Sequence, residues 1–96
     1  MSLSTHVLDA ASGRPAAGVV VRLESRDGTR LASATTDADG RITGWDPPEG
    51  VHRLVFEVDT PFYPEVVVTF RVTDPGEHYH VPLLLSPYAY STYRGS

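Results

Sequence analysis

The sequence predicts an all-β sandwich of about eight short strands. Three observations carry this. Short runs rich in β-branched and aromatic residues recur at fairly regular spacing, turn signals separate them, and almost no stretch is left over for a helix. The 8 Gly and 8 Pro punctuate these runs instead of collecting into a linker, and 96 residues suit one domain, taken as residues 1–96.

The elements follow in order. Thr5 to Asp9 reads as the first strand, closed by the turn Ser12-Gly13-Arg14-Pro15. Val19 to Glu24 places Val19, Val21 and Leu23 on one face, opposite Arg22 and Glu24. Asp27-Gly28 turns the chain into Arg30 to Thr36, and Asp37-Ala38-Asp39-Gly40 turns it again into Arg41 to Gly44. Trp45 to Gly50 contains Pro47-Pro48 and is a loop. Val51 to Val58 alternates Leu54, Phe56 and Val58 against Arg53, Val55 and Glu57. Pro64 to Val72 shares one face among Val66, Val68, Phe70 and Val72. After Asp74-Pro75-Gly76, Tyr79 to Leu85 and Tyr88 to Arg94 form a last pair across Ser86-Pro87.

Composition prunes the chemistry. All 8 basic residues are Arg against 12 acidic ones, so a net charge of −4 argues against nucleic-acid binding, which phosphate neutralisation drives. Without Cys there is no disulfide, thiolate nucleophile or sulfur-based metal site, and without Lys no Schiff base. Met1 to His6 lacks the basic and apolar regions of a secretory signal. The longest apolar run, Val81 to Leu85, is interrupted by Pro82 and far too short for a membrane span. A soluble, cytoplasmic protein with no membrane partner is the expectation.

What remains is histidine. His78-Tyr79-His80 sets two imidazoles on the same side of a strand, while His6 lies inside the first strand and His52 opens another. A strand histidine is most often a surface or satisfied structural residue; the sharper reading is a general base with a proton-holding partner. His-x-His with a distant His is also raw material for zinc, but no carboxylate stands at an orienting position, so no metal or other cofactor is expected. No Gly-x-Ser-x-Gly elbow or Gly-rich phosphate loop occurs. The end of the chain, Pro87 to Ser96, holds three Tyr and Arg94. It reads as an ordered segment that delivers polar groups to a fixed place, or as an edge strand for another subunit, and both can be true.

His6-Val7-Leu8-Asp9, Gly13-Arg14-Pro15-Ala16, the stretch His78-Tyr79-His80-Val81-Pro82-Leu83-Leu84-Leu85-Ser86-Pro87, and the closing Tyr93-Arg94-Gly95-Ser96 together resemble the 5-hydroxyisourate hydrolases of the transthyretin-like family. The resemblance runs from Leu3 to Ser96, and the terminal Tyr-Arg-Gly-Ser is its most specific part. It implies a transthyretin-like (prealbumin-like) sandwich of two four-stranded sheets. It further implies a homotetramer, a dimer of dimers with sites at the dimer–dimer interface, acting on the small molecule 5-hydroxyisourate. Carried over by position, His6, Arg41 and His80 are the catalytic residues, and His6, Arg41, Tyr93 and Ser96 bind substrate. The residues alone single out His80 and the C-terminus but leave Arg41 looking like an ordinary strand residue. The family usually carries a short helix before the segment that matches Phe62-Tyr63-Pro64-Glu65; Asp59-Thr60-Pro61 is too short to form one. A non-catalytic carrier and an immunoglobulin-like binding module are the competing readings.

Overall fold

The computed structural model describes residues 2–96; Met1, the first residue of the expected domain, lies outside the described residues. Among the described residues there are nine strands and no helix: β1 (Leu3–Asp9), β2 (Arg14–Pro15), β3 (Val20–Ser25), β4 (Arg30–Thr35), β5 (Arg41–Trp45), β6 (Gly50–Glu57), β7 (Val66–Val72), β8 (Tyr79–Ser86) and β9 (Ala89–Thr92). One sheet runs β2-β1-β8-β9, with β5 also paired to β1, and the other runs β4-β3-β6-β7. Among the described residues no helix is long and apolar enough to cross a membrane.

The two sheets close on a core built by strand alternation. Leu3, Val7, Ile42, Tyr79, Val81 and Leu83 face Val21, Leu23, Leu54, Phe56, Val66 and Val72. Thr5 is buried among them because its hydroxyl donates to the Val81 carbonyl at 2.6 Å, so no polar atom is stranded. Outward alternation on the second sheet is less polar than the sequence implies. Glu24 is buried, not solvated: Arg22 and Arg53 flank its carboxylate at 3.3 and 3.6 Å, and Arg22 also reaches Glu57.

Apart from one-residue shifts at other strand ends, four features differ from the sequence reading. The extra strand β2 lies inside the stretch expected to be only a turn, because Arg14 and Pro15 pair back onto Asp9 and Leu8; the first sheet therefore has five strands instead of four. β1 begins two residues early, at Leu3, which pairs with both Trp45 and Tyr79. β7 starts at Val66, past Pro64, which cannot donate to a ladder. The last strand ends at Thr92, not Arg94. Its next partner is Pro82, which has no N–H, and the Thr92 hydroxyl takes the Pro82 carbonyl at 2.7 Å.

Two connections position the site. β1 and β8 run parallel in continuous register from Leu3↔Tyr79 to Asp9↔Leu85. On its other edge β1 meets β5, with His6 directly across from Arg41. Where the sequence lacks room for a helix, Asp59 to Pro64 makes a tight loop, closed by the Asp59 N–H on the Pro64 carbonyl and the Thr60 N–H on the Tyr63 carbonyl.

Candidate active site

With Leu3, Thr5 and Val7 turned inward, Ser4 and His6 project from the outer face of the first sheet. The same parity on β8, where Tyr79 and Val81 face the core, sends His80 outward beside Ser4, its register partner. Arg41 projects next to His6. The parallel β1–β8 pairing thus gathers on one surface residues from both ends of the chain and its middle. Of the residues expected in the site, the structure brings His6, Arg41 and His80 together.

Each is held by local chemistry. Arg41 follows a turn in which the Asp37 carboxylate accepts the N–H groups of Asp39 and Arg41, both at 2.9 Å. Gly40 sits at φ 75° with its carbonyl accepting from the Val7 N–H at 2.8 Å; a Cβ here would stand 2.5 Å from the Val7 carbonyl oxygen. Only glycine lets the turn press against β1, so the Asp-x-x-Gly before Arg41 was the signal that this arginine is placed with care.

His80 is half-buried, and its Nδ1 lies 2.8 Å from the Ser4 hydroxyl. The same oxygen lies 3.0 Å from His78 Nε2. Burial, followed by the positive fields of Arg41, His6 and His78, holds the His80 imidazole below its ordinary pKa. At neutral pH the ring is therefore neutral, the state a general base needs. Ser4 itself is buried, and neither it nor its bond to both imidazoles was legible from the sequence.

Of the C-terminal residues, Gly95 reaches this face, against His80, whereas Tyr93 and Arg94 line a cleft at the edge between the sheets. Beyond the break at Pro82, pairing resumes as a single bridge: the Gly95 N–H donates to the His80 carbonyl at 2.8 Å, which puts Gly95 beside His80, one residue before Ser96. Arg94 is an anchor here, its guanidinium stacked 4.6 Å over the Tyr79 ring and 3.2 Å from Glu77. The Tyr79 hydroxyl in turn accepts from the N–H groups of Thr73 and Asp74. Tyr93 stays 61% exposed and borders a cleft of about 450 Å³ at the open edge between β7 and β9, next to Phe70, Val81 and Arg94.

The remaining histidine lies elsewhere. His52 is buried on the other sheet, with Nε2 donating to the Pro48 carbonyl at 2.8 Å and its ring against Phe70. Among the described residues no three His, Asp or Glu side chains converge as a metal-ligand set.

Comparison with known proteins agrees with this two-sheet fold. The chain matches the HIUase/Transthyretin family over residues 3–95. It is 49% identical over 112 residues to the 5-hydroxyisourate hydrolase of Caulobacter vibrioides, covering 98% of this chain and 97% of that protein. The solved structure of Klebsiella pneumoniae 5-hydroxyisourate hydrolase superposes with a TM-score of 0.87 at 37% identity, covering both chains completely. Sea bream transthyretin in complex with thyroxine superposes with a TM-score of 0.85 at 34% identity, over 99% of this chain and 95% of that one. By its sequence, its two-sheet sandwich and this near-complete overlap, the chain belongs to the HIUase/Transthyretin family.

Proposed function

We propose that the protein is a hydrolase that opens the six-membered ring of 5-hydroxyisourate, giving 2-oxo-4-hydroxy-4-carboxy-5-ureidoimidazoline in the breakdown of urate, a purine product. The observation that carries this reading is the convergence of His6, Arg41 and His80 on one outer sheet face, with the last residues pinned to His80. Relatives at 49% and 37% identity bear the name of that hydrolase.

In this mechanism the neutral His80 accepts a proton from water as it attacks the ring carbonyl. The C–O bond forms, and the carbonyl electron pair moves onto oxygen. Arg41, with donors only and a permanent charge, faces that oxyanion. Collapse breaks the ring C–N bond, and the proton taken from water passes to the leaving nitrogen, with His6 holding or relaying it. Tyr93 and Ser96 bind the substrate ring at the edge of the site. No metal or other cofactor enters any step.

The same reading includes a homotetramer. The half-buried imidazoles stand on an open sheet face, where a second copy would exclude water. β7 and β9 are the outer strands of their sheets on one side of the sandwich, free for edge pairing within a dimer. Two such dimers stacked through the His6–His80 face place the sites between them. A chain without cysteine needs no oxidising compartment to fold, which suits the cytoplasmic setting of this reading.

The test is direct. Freshly made 5-hydroxyisourate is mixed with the protein and its loss followed by ultraviolet absorbance. The expected result is strong acceleration over buffer, with kcat reduced ~10²-fold or more in His80→Ala and in His6→Ala. No acceleration would put a carrier, in the manner of the thyroxine-binding relative, ahead of an enzyme.

A further inference from the structure

We propose that Ser4 and His78 are positioning residues for His80: the Ser4 hydroxyl, held between His80 Nδ1 at 2.8 Å and His78 Nε2 at 3.0 Å, fixes the His80 tautomer with its proton on Nδ1 and leaves Nε2 bare. The role in turnover rests on the reading of His80 as the base; the tautomer itself does not.

A serine hydroxyl has one proton. Set between two ring nitrogens, it donates to one and accepts from the other. If His78 donates to Ser4 and Ser4 to His80, then neutral His80 carries its proton on Nε2 and has no lone pair to offer. If His80 donates from Nδ1 to Ser4 and Ser4 donates to His78, then Nε2 is the acceptor. Gly95 packs against Cδ2 and Ser4 takes Nδ1, so Nε2 is the ring nitrogen left for water or substrate.

Three features select the second arrangement. Arg41 offers only donors, and its field favours a lone pair over an N–H on the neighbouring ring. Ser4 is buried and has two imidazoles as its partners, so its proton is directed to one of them. His78 is exposed, and solvent can supply and stabilise the Nδ1–H form that presents a bare Nε2 to Ser4.

The chain also suits the charged state. When His80 takes a proton, its Nδ1–H already points at Ser4 and the Ser4 proton at His78, so both dipoles align with the new charge. A carboxylate in the place of Ser4 would do this too, but would raise the basicity of His80 and keep it protonated at neutral pH. A hydroxyl backed by an imidazole orients the ring without that penalty.

The experiment is long-range 15N–1H NMR of the histidine rings in the substrate-free protein at about pH 8, where histidines are neutral. His52 serves as the internal standard for the Nε2–H form, since the Pro48 carbonyl can only accept. His80 is expected in the opposite, Nδ1–H form. Ser4→Ala should release it toward Nε2–H and Ser4→Thr should restore it. In the same proteins Ser4→Ala should lower kcat ~10-fold or more with KM little changed, and Ser4→Thr should recover most of it. His78→Gln, whose amide oxygen still accepts from Ser4, should stay close to wild type, whereas His78→Leu should follow Ser4→Ala. Wild-type His80 found as Nε2–H, or Ser4→Ala leaving both tautomer and kcat unchanged, overturns the proposal. An inactive wild type with His80 still Nδ1–H refutes the hydrolase reading alone and supports the orienting chain.

Discussion

Gly95 lies against the imidazole of His80 so closely that a Cβ on it would stand 2.5 Å from His80 Cδ2 and 3.2 Å from Cγ. Its N–H meanwhile donates to the His80 carbonyl. The glycine of the terminal Tyr-Arg-Gly-Ser is thus a contact surface for the His80 ring, the proposed base: any side chain here pushes the ring from its place over Ser4 or peels the chain end from β8.

Gly95→Ala is accordingly expected to lower kcat ~10-fold or more while the melting temperature barely moves, because the core lies upstream. Steady-state kinetics beside a thermal melt decide it. Wild-type turnover in the variant would mean that the ring has slack at Cδ2.

Arg41→Lys keeps the charge and discards the planar five-donor fork. Most activity should be lost although the Asp37–Gly40 turn, held by the Asp37 carboxylate and backbone groups, is untouched. Near-normal kcat in this variant would show that a point charge suffices at the oxyanion.

The depressed basicity of His80, owed first to burial and then to Arg41, His6 and His78, has a signed consequence. The acid limb of kcat/KM should fall below the ordinary histidine value of ~6.5 if His80 is the base, as proposed. Stability responds to the same shift. Below ~6.5 the unfolded chain binds a proton at this position that the folded one resists, so stability present above that pH is lost as pH falls toward the folded value. Melts of wild type and His80→Gln at about pH 8 and about pH 5 should show the larger acid-induced loss in wild type. An equal loss in both would remove His80 as its source.

His52→Ala should leave kcat intact, since His52 lies on the other sheet. It should still cost about 1–3 kcal/mol of stability, because a buried ring and its bond to the Pro48 carbonyl are lost. Denaturant unfolding and the absorbance assay, run on one preparation, separate the two effects.

Strand order and number were largely legible because the period-two pattern is strong in Val51–Val58, Pro64–Val72 and Tyr79–Leu85. The two-residue strand at Arg14–Pro15 was not, since nothing so short carries a period. Long-range register was also silent: no local signal in Thr5–Asp9 states that its partner is Tyr79–Leu85 or that the two run parallel. That register is what makes a site of His6 and His80. Arg41 could be reached from the residues only through the glycine turn before it. Ser4 could not be reached at all, because its importance lies in two imidazoles more than seventy residues away.

The parallel ladder between β1 and β8 bears on how the molecule is made. Ser4 and His80 are 76 residues apart in the chain, yet touch. As the polypeptide leaves the ribosome, β1 emerges first and waits with one edge unpaired until nearly everything else has followed. Closing so long a loop before any bond rewards it makes for slow folding and a long-lived open strand edge. The turn at Asp37–Gly40 delivers β5 to the other edge of β1 much earlier, so the N-terminal strand has a provisional partner during that interval. In chain order Arg41 is made before His80, so the β1–β5 pairing that joins it to His6 is available before the β1–β8 ladder that brings in His80.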